Sequence, residues 1–297
     1  MELFLQDLVN GILAGGILAL VALGFSLVWG IMNIINLAHG SNIMLGAYLT
    51  WELFQRAHID PIAAVPIAFL IMFAFGYALQ RLIINNVVRA PILATFLLTF
   101  GISLIIETLA VLYWKGDARG VQVWYSGANF SLGAVTIPWT KLITLVAVLV
   151  ITGLLYLWLH RSKVGRAIRA TAMDVGAAQL AGVRVPHIYG ITFGLGAGLA
   201  GAAGALLTLS YPLTPGMGQP FLIKGFVVCV LGGLGSVEGA LVGGLVYGIV
   251  SSFATRFDVT LWGQHLSGSG LQDVLALLVL LLVLIFRPRG IVGRATV

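Results

Sequence analysis

Glu107 is a carboxylate placed where charge is expensive: Ile105 and Ile106 precede it and residues 109–112 continue the apolar run. An acid in such a setting faces the interior of a bundle or a wet cavity. It either meets a polar solute there or ties two helices together, and the residues alone leave both readings open. Glu238, beside a glycine-rich break at Gly232, Gly233, Gly235 and Ser236, offers the same pair of readings. Asn33, Asn36 and His39 follow a long apolar run. They are either polar residues at the end of a helix or groups on an unwound segment that face a polar solute inside the protein.

Other chemistry is excluded by spacing. The five histidines, His39, His58, His160, His187 and His265, are scattered and form no HExxH pattern, so no zinc site of that kind is encoded. Cys229 is the only cysteine, which rules out a disulfide framework and a Cys-ligated metal. A phosphate-binding loop needs glycine immediately before its lysine. Lys115, Lys141, Lys163 and Lys224 instead follow Trp114, Thr140, Ser162 and Ile223. Gly233, Gly235 and Gly239 miss the dinucleotide fingerprint, and no strand–helix unit surrounds them. With no nucleophile–base pair either, the expectation is a chain without catalytic residues, cofactor or metal.

The elements that must position these residues are membrane helices. At 60% hydrophobic and 9% charged residues, with a mean hydropathy of +1.05, the chain has too few polar groups to cover a soluble globule. A helix crosses a hydrocarbon core of ~30 Å with about 20 apolar residues. Runs at residues 8–29, 62–79, 90–106, 142–159 and 188–210 meet or approach that length, and two more lie within 225–254 and 274–286. Gly30, Asn33, Asn36, His39, Gly40, Ser41 and Asn42, followed by only a short apolar piece at 43–48, predict a discontinuous helix. The fold expected is an all-α polytopic transmembrane bundle of about eight hydrophobic segments with at least one discontinuous or re-entrant helix, a single domain over residues 1–297. The N-terminal run is too long for a signal-peptide core and is expected to stay as the first span.

A net charge of +6 in a soluble domain would point to nucleic acid, but here the basic residues stand between apolar runs. They act as orientation signals, and no nucleic-acid partner is expected. The densest basic loop, residues 160–187, sets Arg161, Lys163, Arg166, Arg169 and Arg184 against Asp174, which places it in the cytoplasm. Arg81 and Arg89 join it there, as do Arg287, Arg289 and Arg294. The N-terminus and the connections 115–141 and 211–219 then fall outside. An odd number of crossings must separate 211–219 from Arg287, so the glycine-rich segment has to enter and return. No Arg or Lys lies centrally in a span so defined, and a solute carboxylate would be met by backbone, Asn and helix ends.

Within the basic loop, residues 171–185 combine Ala177, Ala178, Leu180 and Val183 at helical spacing with Asp174 and Arg184. That is a short amphipathic helix suited to docking, with a plain solvated loop as the alternative. Gly194, Gly196, Gly198, Gly201 and Gly204 are expected to let helices approach closely.

The stretches Asn33, Ile34, Ile35, Asn36, Leu37, Ala38, His39, Gly40 and Met44, Leu45, Gly46, Ala47, Tyr48 resemble the permeases of branched-chain amino acid ABC importers. So does the order that follows: Arg166 to Ala170, Ala177, Ala178 and Gly182; Ala200, Gly201, Ala203 and Gly204; Gly232 to Ser236; then Phe286, Arg287, Pro288, Arg289 and Gly290. The resemblance runs from about Asn10 to Gly293, and it departs before the Ala177 pair, where Gly176 stands with Asp174 two residues earlier. It implies a multi-pass protein of the bacterial inner membrane that passes small apolar amino acids. It also implies partners: ABC ATPase subunits on the cytoplasmic face, a second related permease and a periplasmic or extracellular solute-binding protein. By the same resemblance Arg166, Arg169, Asp174, Ala177, Ala178, Gly182 and Arg184 would couple to the ATPase. Urea or a short amide as solute, or a stand-alone transporter in which Glu107 and His39 couple protons, are the competing readings.

Overall fold

In hydrocarbon a backbone N–H or C=O finds no water, so an apolar run must close its hydrogen bonds within the segment, and here the runs do so as helices. The computed structural model describes residues 2–88, 90–133, 135–256, 259–261, 264–266 and 268–293. Arg89 and Arg294 lie outside them. The helices are α1 (Glu2–Met32), α2 (Ala38–Ala57), α3 (Pro61–Leu82), α4 (Ile92–Trp114), α5 (Trp139–Arg161), α6 (Lys163–Met173), α7 (Val175–Leu180), α8 (Val185–Leu207), α9 (Gly218–Gly232), α10 (Val237–Ala254) and α11 (Gly268–Phe286). Two short antiparallel hairpins, β1 (Asn129–Leu132) with β2 (Val135–Pro138) and β3 (Val259–Leu261) with β4 (Gln264–Leu266), decorate the connections.

Among the described residues, α1, α3, α4, α5, α8 and α10 are long and apolar enough to cross a bilayer. The expected all-α bundle with a broken helix is what forms. One expectation needs correcting: the apolar piece at 43–48 is no half-span but the centre of α2, a 20-residue helix that continues through Trp51, Glu52 and Arg56. Its polar residues hid its length. Helix α3 starts where Asp60 and Pro61 set a boundary, with Asp60 Oδ1 accepting the Ile62 N–H at 2.9 Å. The Tyr125 hydroxyl donates to the same oxygen at 3.0 Å and anchors the 115–138 connection. Burial first, then the Asp60 hydrogen bond and charge, raise the Tyr125 phenol above its ordinary range.

Helix α8 is buried along nearly its whole length, against α1, α2 and α3. Its small residues make that possible: a methyl group at Gly201 would stand 2.6 Å from the Met72 side chain, and one at Gly196 2.5 Å from Val28. Helix α1 runs antiparallel to α10, pairing Gly11 with Ile249, Gly15 with Gly244 and Gly30 with Gly235. The turn between α9 and α10 therefore sits at the end of α1, and Gly290 and Gly293 press against it. The end of α3 reaches the start of α8 there too, through Tyr77 and His187 (3.0 Å). The basic segments around Arg81, residues 160–187 and Arg289 thus gather at one end of the bundle.

The expectation of no central cation also needs correction. It assumed a span from residue 225, whereas α9 starts at Gly218 and holds Lys224 in its middle. Lys224 Nζ is 3.0 Å from Asp273 Oδ1 of α11, and the Tyr247 hydroxyl donates to the same oxygen at 2.9 Å. The cation is neutralised within the fold.

Candidate functional site

The chain leaves α1 at Met32 and does not resume a helix until Ala38. Asn33 takes the left-handed conformation (φ 51°) that asparagine tolerates, and its N–H donates to the Trp29 carbonyl at 2.9 Å. Residues 33–37 then run back along the bundle, because His39 Nε2 sits 3.0 Å from the Val21 carbonyl, eleven residues before the end of α1. At 1.5 Å per residue that is about 16 Å, or half the hydrocarbon thickness. Helix α2 therefore begins at mid-depth. So does α9: its first residue, Gly218, touches Gly40, and Gly225 lies against Val21. The two helix starts meet head to head, and the contact requires glycine at 218, since a methyl group there would overlap the Gly40 carbonyl.

Helix α4 supplies the side chains that satisfy this junction. Thr99, Ser103 and Glu107 recur every four residues and so share one face. Thr99 Oγ1 accepts the Leu37 N–H (3.2 Å) and donates to the Ile35 carbonyl (3.1 Å), pairing the unwound backbone. Four residues on, the Ser41 and Ser103 hydroxyls are 2.7 Å apart. Glu107 Oε1 accepts from Ser41 Oγ (3.2 Å), Ser103 Oγ (3.2 Å) and Gln219 Nε2 (2.6 Å). Ser41 belongs to the first turn of α2 and Gln219 to that of α9, so the carboxylate lies at two helix N-termini, where partial positive charge favours an anion. Glu107 and Gln219 are half-buried, on a flank where Leu104 of α4 and Pro220 and Ile223 of α9 are exposed. The arrangement can hold and orient a small polar solute by hydrogen bonds and one negative charge.

The predicted site residues separate into three groups. Asn36, His39 and Glu107 share the mid-depth region. His39 is fully buried, its Nε2–H donating to Val21 and its ring edge-on to Phe25, so it fastens α2 to α1. Asn36 is buried with its Oδ1 unpartnered among the described residues, as are both amide atoms of Asn42. Asn33 and the glycine break lie instead at the far end of α1. Gly233 (φ 112°) and Gly235 (φ 82°) make the turn that glycine allows, Ser236 caps α10 by accepting the Gly239 N–H at 2.9 Å, and Glu238 stands in that helix's first turn. The turn is closed by backbone bonds from Ile291 to the Leu231 carbonyl (2.9 Å) and from Val292 to Gly232 (3.0 Å).

The third group is the basic loop. Its expected single helix over 171–185 is in fact two, because Asp174 breaks the chain and caps α7, accepting the Ala177 N–H at 2.9 Å. Arg166 donates to the Arg161 carbonyl at 3.3 Å and Arg169 to that of Leu159, folding α6 back on the end of α5. Ala178 is buried, Ala177 and Arg184 are exposed, and Met173 and Leu180 present apolar side chains at 88% and 93% exposure. Gly182 (φ 83°) turns the chain into α8, and a methyl group there would meet open space. The reason for glycine at 182 is its backbone conformation, since within this chain no close contact demands it.

The sequence marks Ser41 and Asn42 only as part of a polar break and gives Thr99, Ser103 and Gln219 no site role. The signal for the α4 residues was present: Thr95, Thr99, Ser103 and Glu107 are polar at a strict four-residue step in an apolar helix. Gln219 offered none, since it adjoins Pro220 in a segment that reads as a loop.

A multi-pass bundle with a polar, half-open junction at mid-depth defines a membrane protein built around an interior polar site. Residues 8–286 match the family described as branched-chain amino acid transport system / permease component. The chain is 33% identical to the high-affinity branched-chain amino acid transport system permease protein BraD of Pseudomonas aeruginosa, over 99% of this chain and 97% of that protein. It is 31% identical to the corresponding LivH permease of Escherichia coli (99% and 97%) and 30% to a probable LivH of Methanocaldococcus jannaschii (96% and 91%). No solved structure matches the chain. The chain belongs to the branched-chain amino acid transport permease family.

Proposed function

We propose that this chain is the permease subunit of an ABC importer that passes branched-chain or other small apolar amino acids across the bacterial inner membrane. ATP is hydrolysed by partner ATPases, a second related permease completes the path, and a periplasmic or extracellular binding protein delivers the solute. The carrying observation is the mid-depth junction, where two helix starts and the α4 stripe enclose Glu107 inside a chain that matches a permease family end to end. Asn36, His39 and Glu107 lie on or beside the path. Asn33, Gly232, Gly233, Gly235, Ser236 and Glu238 shape its cytoplasmic end. The exposed Met173 just before α7 and Leu180 at its end suit docking into an apolar groove of the ATPase, with Arg166, Arg169, Asp174, Ala177, Ala178, Gly182 and Arg184 as the coupling residues of the same loop. The charge rule supports this end lying in the cytoplasm, with the N-terminus outside and the C-terminus inside.

The test is uptake of radiolabelled L-leucine into proteoliposomes. Uptake should require the ATPases, ATP and the binding protein. Concentrative uptake by this chain alone under a proton gradient would establish a secondary transporter instead, and uptake of urea in place of leucine would reassign the solute.

A further inference from the structure

We propose that Glu107 supplies the counter-charge for the α-ammonium group of the amino acid at mid-depth, through its oxygen Oε2. This deepens the amino-acid permease reading above and rests on it.

An ammonium group has three donors and no acceptor, so it cannot cross a low-dielectric region unless it meets an anion or several oxygens. Glu107 is the acid of the junction between the two helix starts, and Asp273, near the same depth, is already taken by Lys224. The described ion pairs, Arg56 with Glu52, Lys224 with Asp273 and Arg256 with Asp7, do not include it. Its three hydrogen bonds all fall on Oε1, and among the described residues none reaches Oε2. Every donor to it is neutral: two hydroxyls and an amide. Together with the two helix N-termini they turn partial positive charge toward the carboxylate without supplying a full positive charge. Half-burial of Glu107 and Gln219 gives a solute access to the free oxygen from the flank shared by α4 and α9. Glu238, the other acid weighed from sequence, lies at the far end of α1 in the first turn of α10. It cannot serve a solute at mid-depth.

Glu107→Gln separates charge from structure, because glutamine keeps an Oε1 that accepts from Ser41, Ser103 and Gln219. In proteoliposomes of the complete importer, L-leucine uptake by this variant should fall at least ~10-fold, the loss expected for one charge-assisted hydrogen bond. Assembly, read by co-purification of the ATPase, should persist, and Glu107→Asp should retain more uptake than Glu107→Gln. Glu107→Gln importing at the wild-type rate overturns the proposal and leaves the amino-acid reading intact. A wild-type complex that imports no L-leucine overturns that reading itself. Should Glu107→Gln fail to assemble, the wild-type complex decides. L-leucine during turnover should slow carbodiimide labelling of Glu107, read by mass spectrometry, while the des-amino analogue 4-methylpentanoate should not. Labelling that leucine leaves unchanged overturns the assignment.

Discussion

At residues 33–37 the helical path breaks among asparagines, and at 233–236 it breaks among glycines, yet the two breaks are built in opposite ways. The first draws on side chains from other helices: Thr99 pairs the unwound backbone, and Ser103, Glu107 and Gln219 close over the start of α2. It leaves Asn36 and Asn42 with unpartnered buried atoms and Glu107 half open. The second is closed mainly by backbone bonds from Ile291 and Val292, and the side chain from another helix that joins it is Ser26, which accepts the Gly235 N–H at 3.0 Å. Buried polar atoms without partners are rare in folded proteins and mark places where water or a ligand belongs. By that measure the asparagine break leaves polar groups open to the solute proposed above, whereas the glycine break is closed as a joint. A helix break therefore signals function only when its polar groups are left for something other than the chain itself.

The comparison is broken most sharply at the glycine joint. Gly233→Val forces a β-branched residue to φ 112° and drives its Cβ to 2.8 Å from Gly293 Cα and 3.0 Å from the Arg289 carbonyl. Backbone strain and overpacking together should cost about 3 kcal/mol. Thermal unfolding of the purified chain in detergent should show the loss, and transport should fall only as folded protein does. At the asparagine break, Glu107→Leu removes the acceptor shared by Ser41, Ser103 and Gln219 and should cost about 2 kcal/mol. Uptake should fall further than stability does. If the two variants lose uptake and stability in the same proportion, the distinction between joint and site fails.

The helical class and most span boundaries were legible because apolar length is a direct physical demand of the bilayer. The return of the glycine-rich segment was legible from charge parity, and α9 and α10 do form a hairpin about Gly233 and Gly235. What escaped was anything that depends on depth. A run such as Gly40, Ser41, Asn42 reads as a polar interruption, whereas buried against α8, α9 and α4 it forms the first turn of a full helix. Lys224 and Gln219 escaped for the same reason: α9 opens in a Pro- and Gly-containing stretch whose burial comes from its neighbours. Two of the three partners of Glu107, Ser41 and Gln219, lie 66 and 112 residues away along the chain and leave no local mark.

A smaller effect sharpens the role of α4. Thr99→Val keeps the volume but removes the acceptor for the Leu37 N–H and the donor to the Ile35 carbonyl. Hydrogen bonds between helices in membranes average well under 2 kcal/mol, so the expected loss is about 1.5 kcal/mol. Hydrogen exchange should quicken at Leu37 while Ile291 and Val292 stay protected. Equal protection at both breaks would show that Thr99 does not hold the first one.

The smallest intrinsic effect belongs to Gly182, and its value lies in what it isolates. The residue sits at φ 83° after α7, exposed, with nothing near the position a side chain would take. Tryptophan there pays only for the left-handed backbone, about 1 kcal/mol, and no span is altered, so membrane insertion and the melting of the isolated chain should change little. Any larger consequence must come from outside this chain. If α7 docks on an ATPase, the indole enters the interface beside Leu180 and forces the partners apart. Gly182→Trp should then reduce co-purification of the ATPase and uncouple ATP hydrolysis from uptake, while Gly182→Ala, with the same backbone strain and little added volume, should leave both largely intact. Equal behaviour of the two variants in both measurements would reduce the loop to a solvated connector whose glycine serves its own turn.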